Sequence, residues 1–541
     1  MRMRRPLSVI AALALGAGTL AAGAPAVAAP ASEPAPVAGP GGYTPPAVAW
    51  TDCSADYASS KLPFECGTVA VPIDWSNPAG EKASIAVTRV AHTAQPYQGV
   101  MLVNPGGPGG SGTGLAGLVT AIPNGGGAGY DWIGFDPRGV GESTPSLHCI
   151  DDYTNGVRPS YEPTTTKIEK AWLTRSKAYA AACRARNGAI LDHMTTVDAA
   201  KDMDAIRAAL GQAQINYYGF SYGTYLGQVY STLYPSHVRR MVFDGTVDPR
   251  GVWYRANLDQ DVAFEKTINI WFTWLAKYDR IYHLGRTRAA VSKTYYRVKA
   301  QLTKHPVGDV GGSEWNDMLL QAGYYQVVWT DLADVFSAWA VDHDEDALQT
   351  GYEDYVESAD DNGFAVYSAV QCTDAKWPSS YAEYERDNRY VAKKAPFETW
   401  GNAWFNAPCL FWKVKAGTPL KIDGSRVASL LMINETLDAA TPYPGSLEVR
   451  KRYPNARLIA EPGGTTHSGS LYGNSCVDDR IAAYLADGTL PARKRGGSAD
   501  VLCAPLPKPV PEGVGASASK SVKQQEQQFS LRRQALGALA G

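Results

Sequence analysis

The segment "NYYGFSYGTYLG", Asn216 to Gly227, sets Ser221 between glycines and aromatic residues. "INYYGF" reads as a buried strand and "YGTYLGQVYSTLY" as a helix. Gly219-Phe220-Ser221-Tyr222-Gly223 is therefore a G-x-S-x-G at a strand–turn–helix junction. Such a turn brings strand and helix so close that only glycine, with no Cβ, fits on either side of the serine. The turn raises the serine hydroxyl above the sheet edge and offers the Tyr222 N–H to an oxyanion. The bland reading is an ordinary turn. A nucleophile also needs a base and an acid.

In the α/β-hydrolase arrangement the chain order is serine, acid, histidine, with the histidine in the loop after the last strand. Of the eight histidines, His92, His148, His193 and His237 precede or closely follow the elbow, and His283, His305 and His343 lie in the middle of the chain. Only His467 follows the last expected strand, in "EPGGTTHSGS". The loop after the strand "SLLMIN" is "NETLDAATPY", which offers Asp438 and Glu435. Asp438 lies deeper in the loop and is expected to hold His467 Nδ1. Glu435 is the alternative, or else a supporting or substrate-binding group. "NPGGPGGSG", Asn104 to Gly112, follows the strand "VMLV". Consecutive glycines let backbone N–H groups converge on negative charge, so Gly107, with Gly106 next, is the expected second oxyanion donor. The stretch lacks both the G-x-G-x-x-G pattern of a dinucleotide loop and the lysine of a phosphate loop.

Short apolar runs must position these groups. "GTVAVPIDW" and "ASIAVTRVA" read as an opening hairpin. "GVMLVNPGG", "YDWIGFDPRG", "INYYGFS", "VRRMVFDG", "VASLLMINE" and "ARLIAEPGG" read as strands buried on both faces. A glycine-rich stretch with few helix cues separates the first two of these. "TTVDAAKDMDAIRAALG" reads as a helix, capped by Thr195 with Asp198 and ended by Gly211. Alternating strand and helix imply a doubly wound, mostly parallel α/β sheet. The alternation stops after "FDGTVDP". From about Arg250 to Pro419 the chain is helical and rich in tryptophan, and is expected to form an inserted cap. Most of its tryptophans should be core and a minority should line a cleft. The expected organisation is a signal peptide (1–28), a disordered or pro-segment (29–42), a first core part (43–249), the cap (250–419), a second core part (420–505) and a C-terminal tail (506–541).

Composition narrows the class. The 541 residues carry a net charge of −2 without basic clusters, which gives no support to nucleic-acid binding. Arg2, Arg4 and Arg5, the apolar run Leu7 to Ala22 and "AVA" at Ala26 to Ala28 read as an export signal, with no membrane attachment expected once it is removed. Eight cysteines without a C-x-x-C pair suit an oxidising compartment. Neighbour pairing (53–66, 149–183, 372–409, 476–503) is the simplest arrangement. No metal or organic cofactor is expected, and a monomer is.

"NPGGPGGSG", "DWIGFDPRGVGES", "GFSYGTYLG", "FDGTVDP", "ETLDAATPY" and "SCVDDRIAAYLADGTLP" resemble the secreted tripeptidyl aminopeptidases of actinomycete type, in the proline-iminopeptidase-related family of α/β-hydrolase serine peptidases. The likeness runs from about Cys53 to Pro491 and is weaker in the cap. It implies Ser221, Asp438 and His467 as a triad. One departure is "TTHSG", where relatives carry glycine beside the histidine. The resemblance also implies extracellular release of short peptides from free N-termini. A carboxylesterase on the same fold and a non-catalytic binding protein are the alternatives. An aminopeptidase needs a carboxylate, partly desolvated, for the substrate ammonium. Asp374 in "AVQCTDAKWP" is the expected anchor. Asp342, Asp344, Glu345 and Asp346 are rivals, as is Glu435.

Overall fold

In a computed structural model, residues 37–357 and 360–512 are described here. The expected signal peptide and the end of the expected tail lie outside them. Ten strands form one sheet: β1 (Thr51–Asp52), β2 (Phe64–Pro72), β3 (Lys82–Val90), β4 (Val100–Asn104), β5 (Asp131–Phe135), β6 (Ile215–Phe220), β7 (Val238–Asp244), β8 (Leu430–Glu435), β9 (Ala456–Glu461) and β10 (Val501–Leu502). Their order is β1-β2-β3-β5-β4-β6-β7-β8-β9-β10. β1, β2, β3 and β5 pair antiparallel, and every later pairing is parallel.

β4, β6 and β8 are buried along their whole length, as a sheet covered on both faces requires. Helices Thr196–Ala209 and Tyr222–Leu233 cover one face. Thr195 caps the first of these by accepting from the Asp198 N–H, and the Asp198 carboxylate accepts from the Thr195 hydroxyl (2.7 Å) rather than from its backbone, half of the capping box expected. Gly211 ends it at φ 65°. The glycine-rich stretch after β4 becomes a 3₁₀ helix, Thr113–Ala121. Two features carry no strong sequence signal: the edge strands β1 and β10, of two residues each, and helix Thr166–Asn187, whose apolar residues do not form a clear stripe.

Between β7 and β8 every regular element of the described residues is a helix, the first starting at Tyr254 and the last ending at Phe411. This cap has its own core, in which Trp271, Trp315 and Trp329 are completely buried. It is stitched to the sheet domain at the loop after β8. Gln260 donates to the Ala440 carbonyl (2.6 Å) and Thr267 to the Leu437 carbonyl (3.1 Å), while Phe264 packs on Ala439 and Ala440. The four disulfides join Cys53–Cys66, Cys149–Cys183, Cys372–Cys409 and Cys476–Cys503, the neighbour pairing expected. Both ends of the described chain lie against the body. Ala38 accepts from Arg207 (2.8 Å), and Trp274 donates to the Pro509 carbonyl (2.9 Å). Among the described residues no helix is long and apolar enough to cross a membrane.

Candidate active site

Ser221 sits between β6 and helix Tyr222–Leu233 with φ 52° and ψ −125°, a conformation that costs a non-glycine residue about 1–3 kcal/mol. Its neighbours hold it there. The Ser221 N–H donates to the Asp244 carbonyl (3.0 Å), and its carbonyl accepts from the N–H and hydroxyl of Thr224 (2.8 and 2.6 Å). Both motif glycines are required by contact. A side chain at Gly219 would lie 2.6 Å from the Gly223 carbonyl oxygen, and one at Gly223 would lie 2.8 Å from that of Asn104.

His467 and Asp438 are brought together from loops 29 residues apart. His467 Nδ1 donates to the Asp438 carboxylate, 2.9 Å from Oδ2 and 3.0 Å from Oδ1. Thr441 fixes the same carboxylate through its N–H (2.9 Å) and hydroxyl (2.7 Å). Both partners are buried. With Nδ1 donating, Nε2 is left to accept a proton. A side chain at Gly245 would lie 3.1 Å from His467 Cε1, and the preceding Asp244 receives the Ser221 N–H. One corner of the backbone therefore touches both serine and histidine. On the cap side, the His467 N–H donates to the Tyr324 carbonyl (2.7 Å), and the two rings meet edge to face.

The glycine loop closes on the elbow. A side chain at Gly106 would lie 2.9 Å from Ser221 Cβ and 3.1 Å from the Tyr222 nitrogen. Gly106 itself donates to Asn104 Oδ1 (3.1 Å), so its N–H is engaged, and Gly107 follows it in the loop. Asp136 at the end of β5 holds the far side of this loop, accepting from the Ser111 hydroxyl (2.7 Å) and the Gly112 N–H (2.8 Å).

The acids expected to anchor the substrate amine fall at three separate places. Asp374 is buried and takes three protein donors: the Thr196 N–H (2.7 Å), the Thr196 hydroxyl (2.5 Å) and Trp253 Nε1 (3.1 Å). Burial pushes its carboxyl up to about 6, although those donors oppose the shift. Thr196 also meets the Tyr222 hydroxyl (2.9 Å), so Asp374 braces Tyr222, the residue after Ser221. Glu435 lies under the His467 loop and accepts the Thr466 N–H (2.5 Å). Asp342, Asp344, Glu345 and Asp346 are exposed, and Asp344 caps helix Glu345–Tyr355.

A further buried acid stands in the cap. Asp261, on cap helix Tyr254–Lys277, is buried. Its Oδ1 accepts from Asn402 (2.7 Å), while Oδ2 has no hydrogen-bond partner. Burial pushes its carboxyl up to about 7. A polar chain continues from it: Asn402 Oδ1 accepts from Asn406 (2.8 Å), whose own Oδ1 accepts from the Tyr367 hydroxyl (3.0 Å). Tyr367 is one turn along the helix whose Gly363 carbonyl abuts Gly109 of the glycine loop. Asp261 is also flanked on its own helix by Gln260 and Phe264, which dock on the Asp438 loop. Sequence reading missed it, although the signal was present. Asn257, Asp261, Phe264, Ile268 and Trp271 recur at helical spacing on one buried face, and an acid on such a stripe asks for a partner.

Among the described residues, His148, Asp151 and Asp361 bring one possible metal-ligand atom each within 4.8 Å of one another. Asp361 already accepts from the Cys149 and Ile150 N–H groups, and Asp151 pairs with Arg186, so these contacts account for the grouping without an ion.

A family model described as the alpha/beta hydrolase fold matches residues 99–316, and one described as TAP-like protein matches residues 395–498. A tripeptidyl aminopeptidase of Streptomyces lividans is 41% identical over 85% of this chain and 87% of its own. The chain belongs to the tripeptidyl aminopeptidase family of α/β-hydrolases. It is a serine hydrolase of peptidase type. More distant members include serine protease Hip1 of Mycobacterium tuberculosis, 30% identical over 82% of this chain and 89% of its own, and carboxylesterase B of the same organism, 32% identical over 91% and 98%. A solved proline iminopeptidase of Mycobacterium smegmatis aligns over 78% of this chain and 98% of its own at 15% identity and a TM-score of 0.33, too loose a likeness to bear on the site.

Proposed function

We propose that this family member is a secreted exopeptidase that releases tripeptides, or other short peptides, from free N-termini. Ser221 attacks the scissile carbonyl while His467 Nε2 takes the hydroxyl proton. Asp438 holds His467 in the accepting tautomer and stabilises the imidazolium. The Tyr222 and Gly107 N–H groups receive the oxyanion. His467 then passes its proton to the leaving amine, and water repeats the attack on the acyl-enzyme.

The observation that carries the choice of an aminopeptidase is the Asp261 carboxyl, buried in the cap with one oxygen unpartnered. An ester needs no such group, and an uncompensated buried carboxylate is costly unless a cation completes it. A substrate ammonium would complete it. Asp374 lacks that opening, because three protein donors already occupy it. The four disulfides fit the proposed export. The esterase reading keeps support from the relative named carboxylesterase B. Turnover of a tripeptide anilide, its N-acetyl form and a nitrophenyl ester separates the two. The aminopeptidase reading expects the acetylated peptide to be cleaved at least about 100-fold less efficiently, since a lost buried ion pair costs about 3 kcal/mol or more. Equal cleavage of both peptides would refute it, and turnover of the ester alone would favour the esterase.

A further inference from the structure

β8 and β9 end side by side, with Glu435 paired in register to Glu461. Residues opposed in this way point to the same face of the sheet, so the two carboxyls rise together beneath the loop that carries His467. Both are buried. The loop is wrapped around Glu435. Its Oε2 accepts the Thr466 N–H at 2.5 Å, one residue before His467. A side chain at Gly469 would lie 2.6 Å from its Oε1, and one at Gly464 would collide with its Oε2. Glu461 Oε2 accepts from Asn474 (2.6 Å), while Oε1 has no hydrogen-bond partner.

The charges facing this pair are acidic. From β7, Asp244 accepts the Ser470 N–H (2.9 Å) and hydroxyl. From helix Ser475–Asp487, Asp478 accepts the Leu471 and Gly473 N–H groups (2.8 and 2.9 Å). Asp438 stands in the loop after β8, with His467 as the nearby base. Two adjacent carboxyls in such surroundings cannot both ionise cheaply. We propose that Glu435 and Glu461 act as one proton-holding pair that positions His467, keeping its loop seated while at least one of them is neutral. Ionising the second puts like charges under the loop and pushes its backbone outward, away from Ser221.

The ionisation behaviour agrees with that arrangement. Burial, the adjacent Glu461, and then Asp438 and Asp244 hold the Glu435 carboxyl well above the usual range. Burial, with Asp244 and Asp478, pushes Glu461 up to about 8. Glu435 also lines a small cavity together with Thr466, Gly469, Gln326 and Tyr472. Glu461 therefore gives up its proton first, near pH 8, and Glu435, raised further by the charge then on Glu461, gives up its proton above that.

This inference rests on the triad reading, and its test keeps the two apart. The probe is a fluorophosphonate, which reacts with an activated serine and has no ionisable amine to confuse the pH dependence. Wild-type phosphonylation should hold near pH 8, where Glu461 ionises, and decline above it as Glu435 follows. Glu461→Gln leaves one member of the pair permanently neutral and should lose that decline. Glu435→Ala, which removes the acceptor for Thr466, should slow labelling on the order of 100-fold, the usual effect of a misplacement near 1 Å. Should that variant not fold, Glu435→Gln keeps an acceptor and should lose the alkaline decline. Superimposable profiles for wild type and Glu461→Gln between pH 7 and 10 would overturn the proposal while leaving the triad intact. Labelling that survives Ser221→Ala would instead remove the triad reading beneath it.

Discussion

Gly106→Ala isolates what the glycine loop contributes. Gly106 has φ +106°, so alanine there is strained by about 1–3 kcal/mol before any contact is counted. Its methyl group would also lie 2.7 Å from the Phe220 carbonyl oxygen, 2.9 Å from Ser221 Cβ and 3.1 Å from the Tyr222 nitrogen. Ordinary carbon–carbon contact is about 3.5–4 Å, so serine and loop must separate by roughly 0.5–1 Å. Displacement near 1 Å costs on the order of 100-fold in rate, or about 2.7 kcal/mol of transition-state stabilisation. Gly125→Ala is the matched control. It has φ +66° and no atom within 4 Å of the added methyl, so it carries the backbone strain without the collision. Both variants should lose a few degrees in thermal unfolding, and only Gly106→Ala should lose fluorophosphonate labelling and peptide turnover. If Gly106→Ala stayed within threefold of wild type in turnover, the loop would not be the wall of the oxyanion site.

Other consequences can be checked with single variants. Asp438→Asn should lower kcat by about 10⁴-fold with little change in KM, because His467 then holds the wrong tautomer; stopped-time assays of a tripeptide anilide measure it. Arg138→Met leaves Asp202 buried without its bidentate partner (2.6 and 2.7 Å) and should cost about 3–5 kcal/mol in denaturant unfolding. Replacing Cys476 and Cys503 by alanine opens a loop closed over 27 residues and should cost about 2–4 kcal/mol by the same measurement. Glu461 and Asp261 have folded-state values raised to about 8 and about 7, above their unfolded values near 4. The folded chain thus binds more protons between those limits, so thermal stability should fall as pH rises from about 4 to 8 and then level off. Glu461→Gln should flatten part of that slope.

Much of the site was legible because its parts obey local rules. Ser221 stood at a strand–helix junction with glycines where no Cβ fits, and β6 with helix Tyr222–Leu233 follows that pattern. Chain order picked out His467 and left Asp438 and Glu435 in one loop; Asp438, preferred as the deeper of the two, meets His467 at 2.9 Å. Asp374 and Glu435 show where such reading stops. Their neighbours in sequence do not reveal that Thr196, 178 residues away, occupies one, or that Thr466, 31 residues away, occupies the other. Asp261 could be seen in sequence only as an acid on a buried helical stripe. Its importance lies in a missing partner, and a missing partner is visible only when all packed elements are in place. Helix Thr166–Asn187 escaped because it buries only Trp172, Ser176, Tyr179, Ala180 and Cys183 of its 22 residues.

Asp261→Asn decides whether a buried cap carboxyl reads a free N-terminus for Ser221. Steady-state kinetics would be taken on a free-amine tripeptide anilide and on a nitrophenyl ester. The account predicts a rise in KM for the peptide of at least about 100-fold, with ester turnover within a few-fold of wild type. Wild-type affinity for the peptide should also strengthen as pH rises through about 7, where Asp261 ionises, and that limb should vanish in the variant. An unchanged peptide KM in Asp261→Asn, with the variant folded and the ester still turned over, would contradict the account.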